Sequence, residues 1–203
     1  NNPGEAETVT KYTDPTFLSE RGFNGMVPEW YIQCGITYDS FDSTAIPKGS
    51  AERTWILNRQ NLIKTRLQEA ENAGMPVYAF MDMLVLPKLL RDKYMSQLAS
   101  SGTVPDITKA KTQEIIRAQL NEIFNTFPQL DGLIIRFGET YTFDTPYHAG
   151  GNPILTQDAA GIQGHINLIN ILRDEVCVKR NKKIFYRTWD FGFIHTNLTN
   201  YLA

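Results

Sequence analysis

The chain has 203 residues, and its 20 Lys and Arg nearly balance its 22 Asp and Glu, which leaves a formal charge of −2. This balance disfavours a general nucleic-acid binder, because such a protein needs a basic face. Hydrophobic residues make up 42% and charged residues 21% of the chain, as in a globular protein rather than a disordered one. No apolar run reaches the roughly 18 residues of a membrane-spanning helix. The length indicates one domain with a substantial core.

The predicted elements begin with a short helix, in which Asp14 is the N-cap and Pro15 the first helical residue. Four stretches have the composition of strands, and all but the first are near-continuous runs of apolar or β-favouring residues. Such runs are typical of parallel strands that are covered on both faces. The four predicted strands are residues 23–27, 77–81, 133–137 and 184–189.

Three helical patterns separate the predicted strands. The first covers residues 51–73 and ends at Gly74, the second has an apolar stripe from Ile116 to Phe127, and the third extends from Ile162 to Val176. The alternation of helix and strand predicts a parallel α/β sheet with right-handed crossovers.

The spacing of the strands predicts the size of the complete fold. Successive predicted strands begin 54, 56 and 51 residues apart. These units are longer than one strand, one helix and short loops require, and the additional residues, 82–107 and 139–158, follow the strands. Eight units of this size would need roughly 400 residues, within the range of (β/α)₈ TIM barrels with insertions. Residues 1–203 are therefore predicted to be one α/β segment, about half of a barrel and a fragment of a larger enzyme. A small open sheet remains the alternative.

Three of the predicted strands have a carboxylate near their C-terminal end, namely Asp82, Glu139 and Asp190. Because the sites of parallel α/β folds lie at this edge, the three residues predict an acidic pocket. Glu139 follows Gly138 and would act as a general acid if an apolar setting raised its pKa. Asp190 could be the second catalytic carboxylate, a substrate ligand or an N-cap. An acidic pocket also suits a metal, but no ligand spacing such as HExxH occurs, and we predict neither metal nor cofactor.

The long loop after the third strand mixes aromatic and polar side chains. Sugar sites need flat apolar faces for stacking and fixed partners for hydroxyl groups. Tyr141, Tyr147 and His148 could supply both, or they could only anchor the loop to the body of the protein.

Arg136 precedes Glu139 by three residues and projects from the opposite side of the strand, unless Gly138 breaks the alternation. It could bind substrate or form a structural ion pair with Glu139. Phosphate-binding and nucleophile motifs, such as the Walker A sequence and the GxSxG elbow, do not occur.

Several segments resemble the catalytic barrel of α-glucuronidase-type glycoside hydrolases, family 67 and its uncharacterised relatives. The segments are residues 22–25, 73–78 and 127–133, the last of which leads to Gly138 and Glu139. The resemblance implies that the four strands are the second to fifth of a (β/α)₈ barrel and that Glu139 is the general acid. It also implies that Arg187 and Trp189 lie at the mouth, after the fifth strand.

We therefore expect a carbohydrate-active domain, a polysaccharide-degrading glycosidase that works by paired carboxylates. Its expected partners are a carbohydrate substrate and the remainder of a larger enzyme chain, with no nucleic acid and no membrane. One alternative is a non-catalytic carbohydrate-binding or scaffold barrel. Another is an open doubly wound domain that binds a different small ligand.

Two features bear on the compartment. The chain begins at Asn1 rather than Met, as a mature secreted product or an excised segment would, and residues 197–199 form a glycosylation sequon. A secreted or extracellular protein is the expectation. Cys34 follows the first predicted strand and Cys177 lies near a helix C-terminus, so the two should lie at opposite ends of a βα layer as free thiols.

Overall fold

The computed structural model describes residues 8–99, 102, 105–137, 145–150 and 159–188. The α-helices are α1 (Pro15–Glu20), α2 (Asp39–Asp42), α3 (Ala51–Asn72), α4 (Lys88–Leu98), α5 (Ala110–Thr126) and α6 (Ala159–Leu172). A 3₁₀ helix, Ile32–Gly35, precedes α2, and a π-helix, Arg173–Val178, continues α6. The strands are β1 (Tyr78–Asp82), β2 (Leu86–Pro87), β3 (Gly132–Phe137), β4 (His148–Ala149) and β5 (Lys183–Thr188).

The main sheet is parallel and keeps the order of the chain. β3 lies between β1 and β5, and both pairings are parallel. The first predicted strand is an extended segment rather than a full strand, and it joins β1 through a single parallel bridge between Met26 and Val77. The predicted parallel α/β fold is therefore confirmed, with the first strand reduced to one bridge.

The three long helices pack on one face of this sheet. Alternate strand residues, including Ala79, Leu133 and Ile135, belong to the same buried cluster as apolar residues of α3, α5 and α6. Ile56 of α3 and Leu120 of α5 are fully buried in this cluster. Right-handed crossovers between neighbouring strands, repeated in one direction, place every helix on the same side.

The opposite face of the sheet is apolar and partly open among the described residues. Tyr78, Phe80, Ile134 and Phe185 alternate with the core residues and so point away from the helices. The rings of Tyr78 and Phe185 meet edge to face at 5.3 Å between centroids. Phe185 remains 48% exposed. A doubly wound sheet would have helices on this face, whereas in a barrel it is the interior.

Local sequence signals set the ends of two helices as predicted. The Asp14 carboxylate accepts a hydrogen bond from the Thr16 amide at 2.9 Å, and Pro15 is the first residue of α1. Ser50 Oγ accepts a bond from the Arg53 amide at 3.1 Å and caps α3. Gly74 follows α3 with a positive φ of 63°, a conformation that glycine adopts without strain.

The segment after β1 contains structure that the sequence pattern did not predict. It forms β2 and α4, and β2 pairs with β4 in antiparallel register, Leu86 with Ala149 and Pro87 with His148. This short pair ties the connection after β1 to the connection after β3.

Two further expectations concern the cysteines and the membrane. Cys34 is buried in the 3₁₀ helix, Cys177 lies in the π-helix, and both are free thiols, as predicted. Within the described ranges, no helix has the length and apolar character needed to cross a bilayer.

Gly132 provides the first testable consequence of the fold. A Cβ at this position would collide with the backbone carbonyl of Lys183 on the neighbouring strand and would lie 3.0 Å from the Tyr78 ring. Because the carbonyl belongs to a sheet ladder, it cannot move aside. We expect Gly132→Ala to lower the free energy of unfolding in urea by about 1–3 kcal/mol.

The matched control is Gly164→Ala in α6, where the new methyl group meets only the side-chain methyls of Ile107 and Thr108 at 3.0 and 3.4 Å. Alanine gains up to about 1 kcal/mol of helix propensity, so this variant should be near neutral. Equal stability of both variants would contradict the close strand approach.

Candidate functional site

A buried ion pair joins the C-terminal ends of β1 and β3. Asp82 and Arg136 are register partners, and the guanidinium binds the carboxylate through two bonds, Nε to Oδ1 at 2.5 Å and Nη2 to Oδ2 at 2.7 Å. Asp82 is 1% exposed and Arg136 is 7% exposed. The sequence offered substrate binding or an ion pair with Glu139 as the role of Arg136; the structure shows an ion pair with Asp82, and Glu139 lies outside the described residues.

Tyr31 completes this cluster. The sequence analysis did not identify Tyr31 as a site residue. Arg136 Nη2 donates to the Tyr31 hydroxyl oxygen at 3.1 Å, and the guanidinium lies 5.5 Å from the centre of the Tyr31 ring. Tyr31 follows the first extended segment, so a search for polar residues just beyond each strand would have found it.

The pKa values of the cluster follow from burial and pairing. Burial lowers the pKa of Arg136, but its hydrogen bonds to Asp82 and the carboxylate charge outweigh burial and raise it overall. Burial raises the pKa of the Tyr31 hydroxyl, and the bond from Arg136 offsets part of that rise. At neutral pH the cluster therefore contains a guanidinium and an uncharged phenol.

Arg187 extends the cluster to the third strand of the sheet. It is the register partner of Arg136 on β5 and is half-buried. Asp82, Arg136 and Arg187 thus form a row at the C-terminal edge, directly beyond the apolar row of Phe80, Ile134 and Phe185. An apolar surface bordered by a few convergent polar groups is the usual composition of a ligand site.

His148 lies inside the protein rather than on an open surface. It is 1% exposed, its ring lies 5.4 Å from that of Trp55, and its Nδ1 is 3.0 Å from the Pro146 carbonyl oxygen. Its Nε2 is buried and has no hydrogen-bond partner in the part of the chain that the structure describes. Burial lowers its pKa to about 4, and the nearby Lys88 charge acts in the same direction.

Tyr147, the neighbour of His148, reaches the surface. It is 37% exposed, and its ring centroid lies 6.3 Å from that of Trp55. Trp55 belongs to the first turns of α3 and does not follow a predicted strand in the sequence. A prediction based on residues at strand ends therefore could not identify it.

Four predicted site residues lie outside the described residues, namely Glu139, Tyr141, Trp189 and Asp190. Their roles remain predictions. Among the described residues, no group of three or more His, Cys, Asp or Glu side chains could hold a metal ion.

No protein-family model matches the sequence, and no curated protein matches it. Three solved structures have a partly similar backbone. A β-glucosidase from Trichoderma harzianum has a TM-score of 0.46 and 12% identity, over 87% of this chain and 35% of that one. A glycoside hydrolase family 5 enzyme from Prevotella bryantii has a TM-score of 0.49 and 19% identity, over 98% and 50% of the two chains.

The same Prevotella bryantii enzyme, as a mutant in complex with a xyloglucan tetradecasaccharide, has a TM-score of 0.46 and 19% identity over 92% of this chain and 47% of that one. The chain thus spans half or less of each of these structures. Identities of 12–19% and TM-scores below 0.5 do not assign it to a family.

The Asp82–Arg136 pair leads to a prediction about stability. Asp82→Asn removes the charge that compensates a buried guanidinium, so the variant should lose about 3–5 kcal/mol of unfolding free energy. Asp92→Asn is the control, because it breaks the exposed pair with Arg91 and should cost less than about 1 kcal/mol. A loss at Asp82 as small as that at Asp92 would mean that water reaches Arg136.

The buried histidines predict how stability changes with pH. The pKa values of His148 and His165 are about 4 in the folded protein, against an ordinary value of 6.5. Between these values the unfolded chain binds more protons, so the contribution of each histidine is complete above about pH 6.5 and is lost as the pH falls towards about 4.

Urea unfolding of wild type and His148→Gln, from about pH 7 to about pH 4, measures this contribution. The variant should lose less stability than the wild type over this range, by at most about 3 kcal/mol. Parallel pH profiles of the two proteins would show that the pKa of His148 in the folded protein does not differ from its value in the unfolded chain.

Proposed function

We propose that this chain is the N-terminal half of a glycoside hydrolase catalytic barrel. The observation that carries the proposal is the row of Asp82, Arg136 and Arg187 at the C-terminal edge of a parallel sheet whose long helices lie on one face. In a closed barrel this edge is the mouth, where (β/α)₈ enzymes have their active sites.

Glu139 is the proposed general acid. It follows the last residue of β3, Phe137, by two positions, and it follows Arg136 by three. Protonation of the glycosidic oxygen requires a carboxyl group that stays protonated near the working pH. Burial among apolar side chains would favour this neutral form, and the Asp82 carboxylate compensates the charge of Arg136, which would otherwise oppose it. Asp190 is the candidate for the second carboxylate within this chain.

Substrate contacts in this proposal come from Arg187 and from three residues outside the described ranges, Tyr141, Trp189 and Asp190. Asp82 and Arg136 bind each other, so their proposed contribution is a fixed, charged border of the sugar site rather than two freely moving ligands. Aromatic rings bind the apolar faces of sugars, and charged groups accept or donate bonds to their hydroxyls.

The finer parts of the proposal rest on the sequence. The resemblance to family 67 supports a polysaccharide as substrate and the remainder of a larger enzyme chain as the partner that completes the mouth. The sequon at residues 197–199 supports secretion.

Glu139→Gln, made in the full-length enzyme, tests the catalytic role. Turnover of substrates with poor leaving groups should fall by about 10²–10⁴-fold, because their leaving oxygen must receive a proton. Aryl glycosides whose leaving group needs no proton should be affected much less. Glu71→Gln on the exposed side of α3 is the matched control and should leave both rates unchanged.

Equal losses on both substrate types would make Glu139 a sugar-positioning residue, and full activity would remove it from the site. The chain of residues 1–203 alone should show little or no hydrolysis, since half of the mouth would be absent. Robust hydrolysis by this chain would contradict the half-barrel proposal. Binding of sugar without hydrolysis by the full-length protein would favour the non-catalytic alternative.

A further inference from the structure

Five described non-glycine residues have a positive φ, a conformation that is costly for a residue with a Cβ. Asn181 is one of them, and asparagine tolerates this region better than most residues do. The other four, Tyr31, Tyr38, Leu84 and Tyr147, have no such intrinsic advantage.

Burial of the side chain explains three of these four. The Tyr31 hydroxyl accepts a bond from Arg136, the Tyr38 hydroxyl lies 2.5 Å from the Gln119 amide nitrogen, and Leu84 is fully buried. Contacts inside the protein therefore offset the backbone cost at each of these positions.

Tyr147 is the exception. Its φ is 58°, its side chain is 37% exposed, and among the described residues no hydrogen bond involves its hydroxyl group. Glycine or asparagine would adopt this backbone conformation at lower cost. A tyrosine that is strained and exposed points to a role outside the folded core.

The backbone around Tyr147 is held in place. The Lys88 amide donates to the Tyr147 carbonyl oxygen at 2.8 Å, and the next two residues pair with β2. Trp55 approaches from α3, with its ring 6.3 Å from Tyr147 and 5.4 Å from the buried His148. The two ring planes are tilted by 58°, and Trp55 is half-buried against the core while Tyr147 is exposed. Tyr147 and Trp55 thus form a fixed, angled aromatic surface, here called the Trp55–Tyr147 platform.

Polar groups border the platform. Lys88 is exposed at the start of α4. Burial raises the pKa of Glu52 and lowers that of His148, and the nearby Lys88 charge opposes the first shift and adds to the second. The Glu52 carboxylate accepts a bond from the Leu89 amide at 3.3 Å and is itself buried. The Lys88 ammonium and the Tyr147 hydroxyl are the groups that can bond to a ligand.

We propose that the Trp55–Tyr147 platform is a sugar-binding subsite, in which a pyranose ring of a saccharide chain stacks on the aromatic rings and its hydroxyls bond to Tyr147 and Lys88. Flat apolar faces with a few polar groups at the border have the chemistry that a sugar ring requires. The platform shares no residue with the row of Asp82, Arg136 and Arg187. This inference rests on the proposed carbohydrate function but does not depend on Glu139.

Calorimetric titration of the 203-residue chain with cellohexaose, xylohexaose and mannohexaose tests the platform. We expect at least one of the three to bind, and Tyr147→Asn to weaken its affinity by about tenfold, the loss of one stacking contact. The same variant should melt at the same temperature as the wild type or higher, because asparagine relieves the backbone strain. Trp55→Leu should weaken binding as well.

Tyr12→Ala is the matched control, since Tyr12 is an exposed tyrosine at a distant position and its removal should leave binding unchanged. Unchanged affinity in Tyr147→Asn, or no binding of any hexaose by the wild type, would overturn the platform. Loss of thermal stability in Tyr147→Asn would show that Tyr147 has a structural role and would also overturn it. Glu139→Gln should bind as the wild type does, so failure of the catalytic proposal and failure of the platform give different results.

Discussion

The constraint on which the rest of the structure depends is that α3, α5 and α6 lie on one face of a parallel sheet. Right-handed crossovers between neighbouring strands, all made in the same direction, leave no other choice. One face of β1, β3 and β5 then forms the buried core, whereas the other exposes Phe185. Large apolar side chains contribute about 1.5–3 kcal/mol each when fully buried, so covering this face would be strongly favourable. A barrel covers it with its own remaining strands.

Two buried carboxylates hold parts of the structure in place in different ways. Asp82 binds the Arg136 guanidinium at the end of β1, whereas the Glu122 carboxylate accepts bonds from the backbone and hydroxyl groups of Thr37 and Ser40 and from the Tyr38 amide. Glu122 thereby holds the connection that leads from the first extended segment to α3. A buried ion pair adds little net stability over apolar packing, so the Asp82–Arg136 pair is better explained by the fixed position that it gives the guanidinium.

Local signals predicted α1, the three long helices and the parallel strands, but not α2 or α4, because capping residues and apolar periodicity act over a few neighbouring positions. The N-cap at Asp14 and the end of α3 at Gly74 are examples. The antiparallel pairing of β2 with β4 joins residues about sixty positions apart and involves only two residues of each strand, too few to leave a periodic pattern. The pairing of Arg136 with Asp82 depends on the register between β1 and β3, which no single segment encodes. Strand-end reasoning identified both residues as site candidates but could not pair them.

The site and the unfilled face of the sheet are physically linked. Asp82 and Arg136 lie two residues beyond Phe80 and Ile134 on the same face, and the Arg136 guanidinium lies 6.0 Å from the Phe80 ring centre. Whatever covers the apolar rows therefore also borders the charged row, in which Asp82 and Arg136 are already buried. Burial strengthens the attraction between the guanidinium and the Asp82 carboxylate, and that carboxylate compensates the positive charge. A segment that buries Phe185 would therefore meet a paired guanidinium rather than an isolated charge, so the ion pair lowers the cost of covering this edge of the sheet.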